Sequence, residues 1–351
     1  MTLLGRQATR NRWRWLGLVI LFGILWIAFL LSLGLGSVSI PLSEVLTIIT
    51  GGEPSKASWE DILWQFRFPK ALTALCAGAA LAMSGLQLQT LFRNPLAGPS
   101  ILGVNAGASL GVALVVLTVG ATASPANLGE LSFLSDIGVV MAASVGSAVT
   151  LGIMLLVAQK VRNNMALLVF GVMIGAATTA MVTVLLHFSP IAQTQAYLTW
   201  TFGSFAGVTW DQLRLLGFCV GLGLMLALMF VRPLNLILLG ETHAQSLGVN
   251  VGRVRVGILV SASVLAGTVT AFCGPIAFLG IAVPHLCRRL FRTVNHQILV
   301  PATLLMGAVL ALLADIIAQL PGRQAILPLN AITALLGAPV VIWLILRQSQ
   351  R

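Results

Sequence analysis

The side chains that could do chemistry are few and scattered. The chain has four histidines, His187, His243, His285 and His296, and none stands at metal-ligand spacing from another histidine, cysteine or acid. No His-Glu-x-x-His and no paired carboxylates occur within apolar runs, so an intramembrane enzyme has no catalytic set to work with. The three lysines, Lys56, Lys70 and Lys160, precede Ala57, Ala71 and Val161. A Gly-Lys-Ser or Gly-Lys-Thr phosphate cradle is therefore missing, and the chain cannot bind ATP in that manner. Cys76, Cys219, Cys273 and Cys287 show no paired spacing and read as small buried hydrophobes. Asp315 is a lone acid inside an apolar run, either a transport or gating group or a satisfied structural contact.

The elements that position these residues are set by composition. Of 351 residues 58% are hydrophobic and 8% charged, against about 25% charged in soluble domains. This excludes a soluble enzyme, a disordered chain and a disulfide-stapled module. The net charge of +11 does not point to nucleic acid, because the basic residues fall between apolar runs rather than on one soluble surface. A helix needs about 20 apolar residues to cross a bilayer. That window predicts an all-α polytopic fold with ten spans, near 15–35, 70–92, 100–120, 137–158, 165–187, 213–231, 255–273, 277–290, 298–319 and 329–347. The first apolar run, Leu16 to Gly34, is longer than a signal-peptide core and lacks a clear cleavage site, so it is read as a span. Stretches 37–67 and 188–212 are too polar to cross and are expected as loops with short interfacial helices. The whole chain, 1–351, is expected to form one transmembrane domain, with a basic N-terminus over 1–14.

Charge sets the expected orientation. With the N-terminus in the cytoplasm and ten spans, fifteen of the 20 basic residues fall inside, and Lys56, Arg67, Lys70, Arg214 and Arg323 fall outside. The acids run the other way: Glu241 alone is inside, while Glu44, Glu53, Glu60, Asp61, Glu130, Asp136 and Asp211 are outside. Both termini are therefore expected in the cytoplasm of a bacterial inner membrane.

Gly98-Pro99 before the third span and Gly274-Pro275 before the eighth lie five spans apart, compatible with a five-plus-five inverted repeat. Gly103, Gly107 and Gly111, and likewise Gly171 and Gly175, recur at every fourth position, which allows close helix contact. The second pair could instead line a dimer seam or pathway. The segment 232–254 is too interrupted to span. It reads as two short helices joined at Gly240, presenting Leu and Ala knobs to a soluble partner or lying against lipid.

Several motifs resemble, in order, the permeases of the iron-siderophore, haem and cobalamin (FecCD-type) family of type II ABC importers. They are Arg67-Phe68-Pro69-Lys70, Arg93-Asn94-Pro95-Leu96-Ala97-Gly98-Pro99, Leu102-Gly103-Val104-Asn105-Ala106-Gly107-Ala108, Leu239-Gly240-Glu241 through Ser246-Leu247-Gly248-Val249, Gly274-Pro275-Ile276-Ala277-Phe278-Leu279-Gly280, Val283-Pro284-His285 and Leu336-Gly337-Ala338-Pro339. The resemblance implies a second permease subunit, homo- or heterodimeric, two cytoplasmic ATPase subunits that carry ATP and Mg, and a substrate-binding protein. This chain would bind no cofactor. It implies ATPase coupling through Leu238, Leu239, Gly240, Glu241, Ala244, Leu247 and Gly248. It also implies binding-protein docking by Arg67 and Lys70, with snorkelling at a helix end as their alternative, and Arg323 as a substitute third position. Asn94, Pro95, Gly171, Gly175 and Asp315 are expected at a pathway, gate or dimer seam, while Met173 and His285 are read as packing. The expected cargo is a ferric siderophore, with cobalamin or haem as alternatives. An ion-coupled secondary transporter would want more intramembrane ionisable groups than Asp315, and no filter motif marks a channel.

Overall fold

Lipid offers no hydrogen bonds to the backbone, so an apolar run that crosses it must satisfy its own amides as helix. The computed structural model describes residues 3–119, 128–161, 163–319 and 326–348. In chain order the helices are α1 (Leu3–Gly34), α2 (Leu42–Ile49), α3 (Ala57–Asp61), α4 (Phe68–Leu91), α5 (Val104–Leu114), α6 (Leu128–Lys160), α7 (Asn164–His187), α8 (Ile191–Thr201), α9 (Trp210–Met229), α10 (Val231–Ile237), α11 (Glu241–Ser246), α12 (Val251–Cys273), α13 (Leu279–Phe291), α14 (His296–Ala318) and α15 (Leu329–Gln348). No strand occurs among the described residues. All ten windows are helical. Seven of the described helical stretches are long and apolar enough to cross a membrane, and α5 and α15 supply shorter apolar stretches, Val104–Leu117 and Leu329–Trp343.

Two departures from the hydropathy reading have physical reasons. The stretch 37–67 holds short helices, α2 and α3, as expected, but a π-helical turn, Ile62–Arg67, joins α3 to α4, so Ala57–Leu91 runs on as 35 helical residues. The 13 residues of α13 reach only about 20 Å, short of a hydrocarbon core of about 30 Å. Non-helical backbone before it makes up part of the path, and such backbone is tolerated where protein buries it. Gly274 and Ile276 are buried there, and Asn330 Oδ1 accepts the Ala277 amide at 3.1 Å.

Helix α4 is the central element, with nearly every residue from Pro69 to Leu91 buried. Two glycines let its neighbours reach its backbone. A Cβ on Gly78 would lie 2.2 Å from the Gly307 carbonyl oxygen of α14, and one on Gly85 would lie 1.7 Å from the Gly280 oxygen of α13. Gly85→Ala should therefore force α4 and α13 apart, costing about 1–3 kcal/mol or more. The check is the unfolding midpoint of purified protein against Gly175→Ala, which meets nothing within 4 Å. Equal midpoints for the two variants would refute the close approach.

The neighbour relations repeat after five spanning helices. Helix α4 packs on α13 and α14, and α12 packs on α5 and α6; α5, α6 and α7 touch one another, as do α13, α14 and α15. Five is odd, so the halves run in opposite senses. Helices α1 and α9 break the pattern, α1 packing on α14 and α9 on α12 and α4. Each half also enters its short helix through a left-handed residue, Gly103 (φ 73°) before α5 and Phe278 (φ 66°) before α13. The two entry segments meet: a Cβ on Gly98 would touch Ile281 at 2.8 Å, and one on Gly280 would touch Pro99 at 2.7 Å. Phe278, strained for a bulky residue, fits because Gly337 of α15 leaves its Cβ room, a Cβ there falling 2.4 Å away.

Candidate functional site: the α10–α11 surface and two polar clusters

Helices α10 and α11 form a short L at one end of the bundle. Gly240 (φ 122°) turns the chain between them and Gly248 (φ 86°) turns it toward α12, both conformations that a side chain would strain. Asn250 caps α12, its side chain accepting the Arg253 amide at 3.0 Å. Leu234, Ile237 and Ala244 are fully buried and seat the L on the bundle, while Leu238, Leu239 and Leu247 are 40%, 64% and 61% exposed. Ala244 is thus corrected from a knob facing a partner to a seat: on a one-turn helix the packed side is decided by tertiary contacts.

Glu241 is not simply presented to solvent either. Its carboxylate accepts Asn164 Nδ2 at 2.7 Å and lies 3.7 Å from Arg255 Nη2. Asn164, first residue of α7, also donates to the Leu91 carbonyl at 3.1 Å, and Arg255 of α12 donates to the Val161 carbonyl at 3.3 Å. Arg93, just past α4 and in a left-handed conformation (φ 48°), donates to the Ile237 carbonyl at 2.8 Å. The single acid at this end therefore latches α11 to α7 and α12, and Arg93 latches α10 to the end of α4.

A second cluster ties α10 to α14 and α4. The Asn235 side-chain oxygen accepts the His296 amide at 2.9 Å and pairs with its Nδ1 at 2.8 Å, while His296 Nε2 pairs with Thr90 Oγ1 at 2.9 Å. Asn235 Nδ2 donates to Asn295 Oδ1 at 3.0 Å. Next to it, Arg288 of α13 donates to the Gln89 side-chain oxygen, and Gln89 Nε2 donates to the Ile281 carbonyl at 3.1 Å. Arg93, Asn164, Arg255, Asn235 and His296 were not singled out from the sequence as site residues. The available signal was that Arg93 and Arg255 share an end of the bundle with its sole acid.

The expected pathway and seam residues separate. Asn94 shapes the α4–α5 turn, its side-chain oxygen accepting the Leu96 amide at 2.9 Å, with Pro95 half-buried beside it. Gly171 is buried against the α5 entry, a Cβ there lying 2.3 Å from the Ile101 oxygen, so it packs within the chain. Gly175 faces open space beside Val172 and Met173, the latter 56% exposed rather than packed. The Gly103, Gly107 and Gly111 stripe packs on α6, where Gly107 and Gly146 face each other's carbonyls.

At the opposite end Arg67 and Lys70 are turned inward, 5% and 7% exposed. The Arg67 guanidinium donates to the carbonyls of Leu33 and Gly34, closing the C-terminal end of α1, and to that of Val38. Lys70 Nζ lies 3.2 Å from Asp315 Oδ2, with both side chains 8% exposed, and Gln319 Nε2 donates to the same oxygen at 2.7 Å. Arg67 and Lys70, expected at a docking surface, are thus buried and internally paired in this structure. Asp315, expected at a pathway or gate, pairs with Lys70 and so ties α14 to α4. These groups border a cavity of about 330 Å³ that also touches Phe66, Ser204 and Leu327. Arg323 lies outside the described residues. Among the described residues no group of histidines, cysteines and acids could hold a metal.

The sequence matches the FecCD transport family over residues 24–347. It is 36% identical over 354 residues to the vitamin B12 import system permease protein BtuC of Salmonella paratyphi A, covering all of both chains. The protein of the same name from Klebsiella pneumoniae subsp. pneumoniae is also 36% identical, over all of this chain and 98% of that one. Among solved structures, a metal-chelate type ABC transporter in an inward-facing conformation superposes with a TM-score of 0.81 at 30% identity, over 94% of this chain and 98% of that one. PsaBC from Streptococcus pneumoniae shares the fold alone, at a TM-score of 0.50 and 14% identity over 85% of this chain and 94% of that one.

Proposed function

The chain belongs to the FecCD transport family; it is an ABC importer permease rather than an enzyme, and from that premise we propose that its cargo is cobalamin. The observation that carries this reading is that relatives 36% identical along the whole chain are vitamin B12 import permeases. Cobalamin thereby displaces the ferric siderophore expected from the sequence, where no residue favoured iron. The metal-chelate description of the structural neighbour supports a broader second reading, in which another metal chelate is carried.

In this reading the arginine-rich end faces the cytoplasm of a bacterium, both termini with it. Two ATPase subunits, which hold ATP and Mg, seat on Leu238, Leu239 and Leu247 of this chain and its partner permease. The open face of α7 around Gly175 and Met173 meets that second permease. A binding protein delivers cargo to the opposite end. ATP-driven closure of the ATPases displaces the α10–α11 L as a rigid piece. The Glu241 latch and the Asn235–His296–Thr90 cluster carry that displacement to α7, α12, α14 and α4, so the spans move together rather than the loop alone.

The test is uptake into proteoliposomes holding the permease with its ATPase and binding protein. ATP-dependent accumulation of labelled cyanocobalamin, not competed by ferric hydroxamate or haem, is expected. Accumulation of the iron chelate with no response to cyanocobalamin would overturn the cargo, and no ATP-dependent uptake of any of the three would overturn the importer reading.

A further inference from the structure

A cleft of about 390 Å³ at the α10–α11 end is lined by Arg14, Arg288, Arg292, Thr293 and Val294. Three arginines line it from α1, α13 and the α13–α14 turn, Arg288 also donating to the Gln89 side-chain oxygen. Arg14 Nη2 donates to the Arg292 carbonyl at 3.2 Å, which closes one wall of the cleft. Arg292 itself is held at φ 44°, a conformation non-glycine residues rarely adopt, and its side chain is exposed. Among the described residues no carboxylate lies within ion-pair distance of Arg288 or Arg292.

The cleft lies level with the start of the α1 stretch that is long and apolar enough to cross a membrane. The spanning part of α1 begins at Arg12, and Trp13 and Trp15, 72% and 66% exposed, flank Arg14. Exposed tryptophans are enriched where headgroups meet hydrocarbon. Val294, 63% exposed, gives the cleft an apolar edge on which an acyl chain can lie. On the other side of α13, Arg289 stacks over Trp343 at 3.7 Å, so it is already committed elsewhere.

We propose that this cleft is a binding site for the phosphate of an anionic lipid headgroup. The chemistry is that of a phosphodiester: guanidiniums match phosphate oxygens bidentately, the Thr293 hydroxyl is a further donor, and basic pockets between membrane helices hold such headgroups. A lipid seated there would bridge α1 to the α13–α14 turn, two segments already tied by the Arg14 bond.

The test uses the purified permease complex in micelles with equimolar phosphatidylglycerol and phosphatidylcholine, with retained lipid counted by native mass spectrometry. Phosphatidylglycerol should be retained preferentially, with retention falling about fivefold in Arg292→Gln and recovering in part in Arg292→Lys, which restores the charge but not the bidentate fork. Arg292→Gln keeps the backbone carbonyl that Arg14 uses, and uptake activity reports that the variant is folded. Equal retention of the two lipids, or unchanged retention in Arg292→Gln, overturns the proposal. Displacement of lipid by millimolar inorganic phosphate would reassign the cleft to free phosphate. Loss of the ATPase subunits from Arg292→Gln with lipid unchanged would reassign it to a protein contact.

Discussion

Lys70→Met is expected to destabilise the protein by on the order of 3–5 kcal/mol, because it leaves the Asp315 carboxylate buried without its cation. The pair is 3.2 Å apart with both side chains 8% exposed, and Gln319 satisfies only part of the carboxylate. The double variant Lys70→Met/Asp315→Leu should recover most of that loss. A buried ion pair replaced by apolar groups of similar volume is often neutral or stabilising, whereas breaking it from one side is costly. Chemical unfolding of wild type, both single variants and the double variant closes the cycle. Single-variant losses that simply add in the double variant would show that the two groups do not interact. The same set separates the internal role from docking: a folded double variant should bind the binding protein as wild type does. Lost affinity in it would return Lys70 to the outer surface.

Glu241→Lys should lower ATP-dependent uptake about 5–150-fold, the range of a coupling free energy of 1–3 kcal/mol, while the ATPase subunits stay bound and keep hydrolysing ATP. The substitution removes the acceptor of Asn164 and puts a second cation against Arg255. The leucines at the surface of the L are untouched. Glu241→Gln, which keeps an acceptor for Asn164 and loses only the charge, should fall between. Paired measurement of uptake and hydrolysis in one proteoliposome preparation is the check. Wild-type uptake in Glu241→Lys would mean that the latch transmits nothing, and loss of the ATPase subunits would mean that Glu241 belongs to the docking surface instead.

Much of the architecture was legible in the chain because bilayer thickness acts on every span independently of its neighbours. A run such as Val251–Cys273 must be helix wherever it packs, and its hydropathy says so. The breaks were legible for the same reason: Gly240, Gly248 and Gly274 stand where the backbone takes conformations that disfavour side chains. The ordered motifs also carried the family; most mark a tight turn or helix entry, while Val283-Pro284-His285 and Leu336-Gly337-Ala338-Pro339 lie within α13 and α15. The cargo was not legible. Nothing in the motifs distinguishes one bulky chelate from another, and the distinction came from relatives matched along the whole chain.

What the sequence by itself determined, then, is the all-helical polytopic kind of fold, the two short helices between α9 and α12, and the charge asymmetry of the apolar runs' flanks. The tertiary structure decided which way the charged and small residues face. Arg67 and Lys70 lie at a helix start, where exposure and burial are equally compatible with the local pattern; α14, bringing Asp315 from the far half of the chain, offsets part of the cost of burying Lys70. Gly171 and Gly175 are one helical turn apart and look alike in sequence, yet one meets the Ile101 carbonyl and the other meets open space. Glu241 reads as an exposed acid on a short helix until Asn164 and Arg255 arrive from two other helices. In each case the deciding partner is remote in sequence. Burial and pairing energies depend on the three-dimensional neighbour, whereas hydropathy and turn propensity depend only on the residue and its immediate chain.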